Sequence, residues 1–177
     1  MGQYYNACMI DASGKLLMWM NPQLYRNGSK LTEHSILNNS FVSTFEFALS
    51  PGQHYHKSRV VWAGDYADPE EGTDVNLYHS CDEYTMIQCN KKSTVEFPFL
   101  VNHTKKLYVN KNAQASQASY GLQPLPILTA EGNGRGGGDY HSDSPLVGSW
   151  ARDILSIEKE APEGFEELLF TLTLGDQ

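Results

Sequence analysis

Apolar residues recur at helical spacing in only one stretch of this chain, Glu33 to Leu49. There Leu37, Phe41, Phe45 and Ala48 form a stripe that Val42 and Leu49 widen and Pro51-Gly52 closes. Elsewhere the apolar runs are short, rich in β-branched and aromatic residues, and cut by the fifteen glycines and eight prolines spread along 177 residues. Such a pattern predicts a sheet with one principal helix. The runs from Tyr4 to Ile10 and from Lys15 to Met20 flank the turn-rich Asp11-Ala12-Ser13-Gly14, which predicts an opening hairpin. Arg59 to Ala63 is a short strand ended by Gly64. Phe97 to Val101 and Leu107 to Val109 make a second hairpin with a basic tip, His103-Thr104-Lys105-Lys106.

Lys111 to Ser119 is polar and predicts an exposed connector, and Leu125 to Ala130, interrupted by Pro126, an edge strand or extended segment. Leu155 and Ile157, then Leu168, Phe170, Leu172 and Leu174, predict two closing strands around the Ala161-Pro162-Glu163-Gly164 turn. The predicted fold is α+β: an antiparallel β-sheet of about six to seven strands, one main helix packed on it and a long Gly-rich loop. At 40% hydrophobic the chain can bury one core, so residues 1–177 are expected to form a single domain.

Charge is unevenly distributed. Val60 to Asn90 holds seven carboxylates (Asp65, Asp68, Glu70, Glu71, Asp74, Asp82, Glu83) and no lysine or arginine, and Asp153 to Gln177 holds seven against Lys159 alone. The two segments carry −13 against a chain total of −8, so the remainder is basic. A face so charged repels nucleic acid and attracts cationic protein surfaces; the plainer role is to solvate loops.

Cys8, Cys81 and Cys89 form no C-x-x-C pair, which predicts reduced, buried thiols rather than a zinc ribbon. The amino terminus lacks a basic segment and a long apolar run, and Asn6 breaks the myristoylation pattern after Gly2, so a cytoplasmic location is expected.

Residues 131–143, EGNGRGGGDYHSD, contain G-x-G-x-x-G at Gly132, Gly134 and Gly137, but Gly138, Pro145 and Gly148 forbid the helix that a dinucleotide loop must open. What survives is an anion nest of Gly134, Gly136 and Gly137 with Arg135 as a bidentate donor and Asp139 beside it, set against a purely conformational use of glycine. A second Gly-Asp-Tyr occurs at residues 64–66; if the two loops meet, Asp65, Asp68, Asp139 and Asp143 can cluster as oxygen ligands, with His141 as a base. The opposing reading has these aspartates accepting from turn amides while Tyr66 and Tyr140 pack beneath them. His54 and His56 would share a strand face as metal ligands do, with His79 and Cys81 the only recruits; Glu33-His34-Ser35 reads as a helix start rather than a triad.

The strings MGQYYNA, LTEHS, VVWAGDYAD, VNHTKKLYV, LPILTAEGNGRGGGDY and VGSWARD resemble a family of small proteins from Gram-positive bacteria and their phages. The resemblance runs over most of the chain and implies no reaction. Association of such acidic phage proteins with inhibition of host defence, including anti-CRISPR inhibitors of Cas9, gives the expected function. It is a non-enzymatic acidic binding protein that blocks a basic nucleic-acid-binding surface, with Asp65, Asp68, Glu70, Glu71 and Asp74 as the partner-binding residues. No cofactor, metal, membrane or direct nucleic-acid contact is expected. The alternative is a small-ligand binder or metal-dependent enzyme acting on a phosphate or nucleotide at the Gly-rich loop, centred on Asp65, Asp68, Arg135, Asp139 and His141.

Overall fold

In the computed structural model, which describes residues 2–83, 96–114, 121–132 and 144–170, the chain opens with the expected hairpin, β1 (Tyr5–Ile10) and β2 (Leu16–Met20). Its turn is held by the Asp11 carboxylate, which accepts from the amides of Ser13 and Lys15 at 2.8 and 3.0 Å, while Gly14 takes φ +86°.

The predicted long helix is two helices, α1 (Leu31–His34) and α2 (Ser40–Ala48). Asn39 starts the second by accepting from the Val42 amide, and Asn38 before it sits at φ +68°. The break lets Ile36 bridge Leu122 and frees Leu37 to donate its amide to Gly121, so tertiary pairing overrides a local helical pattern. Phe41, Val42, Phe45 and Leu49 are buried as the stripe predicts.

Next come β3 (Ser58–Gly64), the single turn α3 (Leu77–Ser80) with a 3-10 turn at Cys81–Glu83, β4 (Phe99–Asn102), β5 (Leu107–Asn110) and α4 (Lys111–Gln114). After them the chain forms α5 (Pro124–Thr129), β6 (Ala130–Glu131), β7 (Ile154–Glu158) and β8 (Glu166–Glu167). Leu125 to Thr129 is therefore helical, not extended: Pro124 and Pro126 fall in the first turn, where amides lack intrahelical acceptors anyway. Nor is Lys111 in an exposed connector, since it is 3% exposed and ion-paired to the fully buried Glu46 at 2.7 Å. Residues 115–119 lie outside the described residues.

The sheet runs β2-β1-β3-β7-β4-β5-β8, with β6 beside β3. It is antiparallel apart from two short parallel pairings, β3 with β6 and β5 with β8. Alternation gives it two faces. The inner face, with Tyr5, Ala7, Met9, Val60 and Trp62, packs against the aromatic side chains of α2 and against α5. The outer face carries Cys8, Ile10, Val61 and Ala63, covered by Leu77, Tyr78 and Cys81. The two closing strands appear as β7 and the two-residue β8; Leu168 and Phe170 follow β8, while Leu172 and Leu174 lie outside the described residues.

Candidate functional site

The parallel register of β3 and β6, Trp62 against Ala130 and Ala63 against Glu131, brings Gly64 and Gly132 to the same end of β3, so the acidic loop and the Gly-rich segment start side by side. Packing there excludes side chains. A Cβ on Gly64 would lie 2.7 Å from the Glu131 carbonyl oxygen, and one on Gly132 would overlap the Gln3 side chain. Gly132 is thus glycine for close approach, the conformational reading. Gly134, Arg135, Gly136, Gly137, Asp139, Tyr140, His141 and Asp143 lie outside the described residues.

After Gly64 the acidic loop folds back over the outer face. Asp65, half-buried, receives the Tyr4 amide at 3.0 Å while its own amide donates to the Tyr4 carbonyl, so its carboxylate is held by an amide 61 positions away rather than by a turn amide. Tyr66 does not pack beneath it: Tyr66 is 47% exposed and Tyr4 48%. Tyr78 lies within electrostatic reach of Asp65, Asp82 and Tyr4; partial burial first, then these carboxylates, raise its phenol above the ordinary range. The loop is closed by Asn76, whose side-chain amide donates to the carbonyls of Asp65 and Ala67 and whose oxygen caps α3.

Of the five carboxylates expected to meet a partner, Glu70 is committed internally. Arg152 donates to both its oxygens, at 3.0 and 2.5 Å, and also to both oxygens of Glu131, at 2.8 and 2.6 Å. These contacts with Glu131 and then Glu70 raise the guanidinium's affinity for its proton further. Arg152 holds the left-handed φ of +69°, unusual for a side-chain-bearing residue. It pins the acidic loop and the start of the Gly-rich segment to the outer face. Around this clamp lies a cleft of about 480 Å³ that reaches Gly14, Lys15, Asp68 and Glu71. Asp68, Glu71 and Asp74 are exposed, and no described lysine or arginine pairs with them.

A second group, unforeseen from sequence, occupies the other half of the outer face. His56 lies 2.7 Å from Glu158, Ser156 2.6 Å from the same carboxylate oxygen, and His103 2.7 Å from Ser156. A carboxylate only accepts, so Ser156 donates to Glu158 and His103 Nε2–H must donate to Ser156, while His56 Nε2–H donates to Glu158. Burial and then Lys57 lower the proton affinity of His103. A cleft of about 680 Å³ adjoins this chain between Pro51 and the 160–163 turn. His54 and His56 occupy a turn rather than a strand, so the expected ligand pair does not form; His54 instead packs edge-on against Tyr55. His79 is exposed and Cys81 contacts Cys8. Among the described residues no group of three or more His, Cys, Asp or Glu is arranged to hold a metal ion.

The Glu33-His34-Ser35 triplet is structural. Glu33 accepts from the Lys30 amide at 2.8 Å, Ser35 donates to the Leu31 carbonyl, and buried His34 accepts the Trp62 indole N–H at 2.8 Å through Nδ1. Its Nε2–H therefore donates to the Gly28 carbonyl at 2.8 Å. Burial lowers the His34 pKa to about 4. The basic tip is likewise engaged: Lys105 pairs with Asp153 and Thr104 accepts the Ile154 amide.

No described helix is long and apolar enough to cross a membrane. Comparison of the chain with protein families, curated proteins and solved structures yields no match.

Proposed function

We propose that the protein is a non-enzymatic acidic binding protein that docks its outer-face loop on a cationic, nucleic-acid-handling protein and so acts as an inhibitor of the phage or mobile-element type. A host nuclease of the CRISPR kind fits that description of a target. One observation carries the reading: Asp68, Glu71 and Asp74 project unpaired among the described residues, beside the exposed Tyr4 and Tyr66, while Glu70 between them is held by Arg152. Exposed carboxylates around solvated tyrosines match what a basic groove accepts, with charge guiding encounter and aromatic rings supplying the desolvated centre. The clamp keeps the loop in one shape, which lowers the ordering cost of association.

If the carboxylates stand in for phosphates, protein and nucleic acid compete for one surface. A captured basic partner is therefore predicted to release a labelled oligonucleotide as this protein is added, with the release weakening steeply as salt rises. A ternary complex that retains the oligonucleotide contradicts the reading. The alternative, a phosphate or nucleotide site at the Gly-rich loop, predicts thermal stabilisation by a nucleotide or divalent cation instead.

A further inference from the structure

Cys8 and Cys81, 73 positions apart, bring their sulfurs to 3.5 Å, and neither side chain is exposed. Sequence spacing groups neither with the other; the covering of the outer face by α3 makes the pair. Cys81 Sγ–H donates to the Leu77 carbonyl at 3.2 Å, one helical turn back, which leaves its sulfur lone pairs toward Cys8. Ile10, Leu16, Trp19, Val61, Ala63 and Leu77 pack around the pair, and the Asn6 carbonyl lies 3.8 Å from Cys8 Sγ. Both thiols are free.

We infer that Cys8 and Cys81 are a disulfide-forming pair, a covalent modification site that staples the covering turn after the acidic loop to the middle of the sheet. The bonded sulfur separation is about 2.05 Å, so closure needs only about 1.5 Å of approach shared by two side chains. The oxidant is a low-molecular-weight disulfide. A thiolate on Cys81 attacks one sulfur of that disulfide, forming a mixed disulfide and expelling one small thiolate, which takes up a proton. Cys8 then loses its proton and attacks the Cys81 sulfur, forming the Cys8–Cys81 bond and expelling the second small thiol. Two protein thiols are oxidised and one external disulfide is reduced to two thiols.

The order of attack follows from position. Cys81 lies on a single turn laid over the sheet, whereas Cys8 is hydrogen-bonded between β2 and β3. Opening one turn carries Cys81 out to the solvent, whereas Cys8, once uncovered, stays fixed on the sheet. The contact with Cys81, then burial, also keeps Cys8 protonated well above the ordinary thiol range. Formation is therefore slow and limited by opening of α3. The staple does not depend on the docking function proposed above.

The full chain, reduced and then equilibrated with mixtures of reduced and oxidised glutathione until the products stop changing, is acid-quenched, alkylated and peptide-mapped. One cross-link is expected, joining the peptides of Cys8 and Cys81, present also in Cys89→Ser and absent in Cys81→Ser, and the cross-linked protein is expected to melt several degrees higher than the reduced form. Glutathione adducts without the cross-link, no oxidation under the most oxidising mixture, a bond through Cys89, or a lower melting point each overturn the inference. Mapping of the wild-type chain alone decides the matter should a variant fail to fold.

Discussion

The two faces of the sheet treat polar groups in opposite ways. On the inner face Glu46, Lys111 and Gln123 are almost fully buried, with Lys111 and Gln123 each donating to the Glu46 carboxylate, and His34 links Trp62 to Gly28, each group placed where water does not reach. On the outer face Arg152, Glu70 and Glu131 are partly wet, and Asp68, Glu71 and Asp74 stand beyond them with no described cation. Desolvated charge without its partner is costly, so the inner set is bound to architecture. Surplus charge in water costs the fold little and stays available to another molecule.

The sharpest way to break this contrast is Glu46→Ala. It strands the Lys111 ammonium in the core and is predicted to destabilise by about 3–5 kcal/mol in urea unfolding; a loss below about 1 kcal/mol would mean that the inner face is wet after all. Acid comes next. His34 stays neutral in the fold to about pH 4, whereas the unfolded chain takes up the proton near the ordinary value of about 6.5. Its contribution is complete above pH about 6.5 and declines as pH falls toward 4, by about 3 kcal/mol in total. His103, also lowered, acts in the same direction, and His34→Gln should flatten the pH profile between those limits.

Arg152→Ala leaves two carboxylates facing each other with no cation between them. Because all three groups are a fifth to a third exposed, solvent screening holds the predicted loss to about 2 kcal/mol, and Glu70→Gln in that background should recover part of it. Ser156→Ala removes the link between His103 and Glu158 at a cost of about 1 kcal/mol in the same assay. Smallest of all, reversal to lysine at Asp68, Glu71 or Asp74 should change stability by no more than about 0.5 kcal/mol per site.

Legibility in the sequence followed the range of the interaction. The β1–β2 hairpin and the β4–β5 hairpin were readable because their turns sit between the strands they join, and Phe41 and Phe45 because helical spacing is local. The helix break at Ser35–Asn39 was not, since it serves the distant bridge from Ile36 to Leu122. Prolines in α5 mimicked an extended segment because their helix-compatible role depends on where the helix starts. Glu46 and Lys111 are 65 residues apart, with no local mark of their pairing. Arg152 did carry a signal: it and Arg135 are the only cations between Lys111 and Lys159, and so acidic a chain needs one at a junction of carboxylates. The histidine chain was hidden because Ser156 and Glu158 look like alternate positions of an ordinary strand.

The claim that the outer-face loop is a docking surface, rather than a contributor to overall charge, is tested most directly by retention of a basic partner on two charge-matched variants. One reverses Asp68, Glu71 and Asp74 to lysine; the other reverses Glu160, Glu163 and Glu166, equally exposed but remote in sequence from the loop. The account predicts that the first loses retention at least tenfold and the second keeps it apart from a modest, salt-sensitive decline. Equal loss from both, or loss from neither, contradicts it.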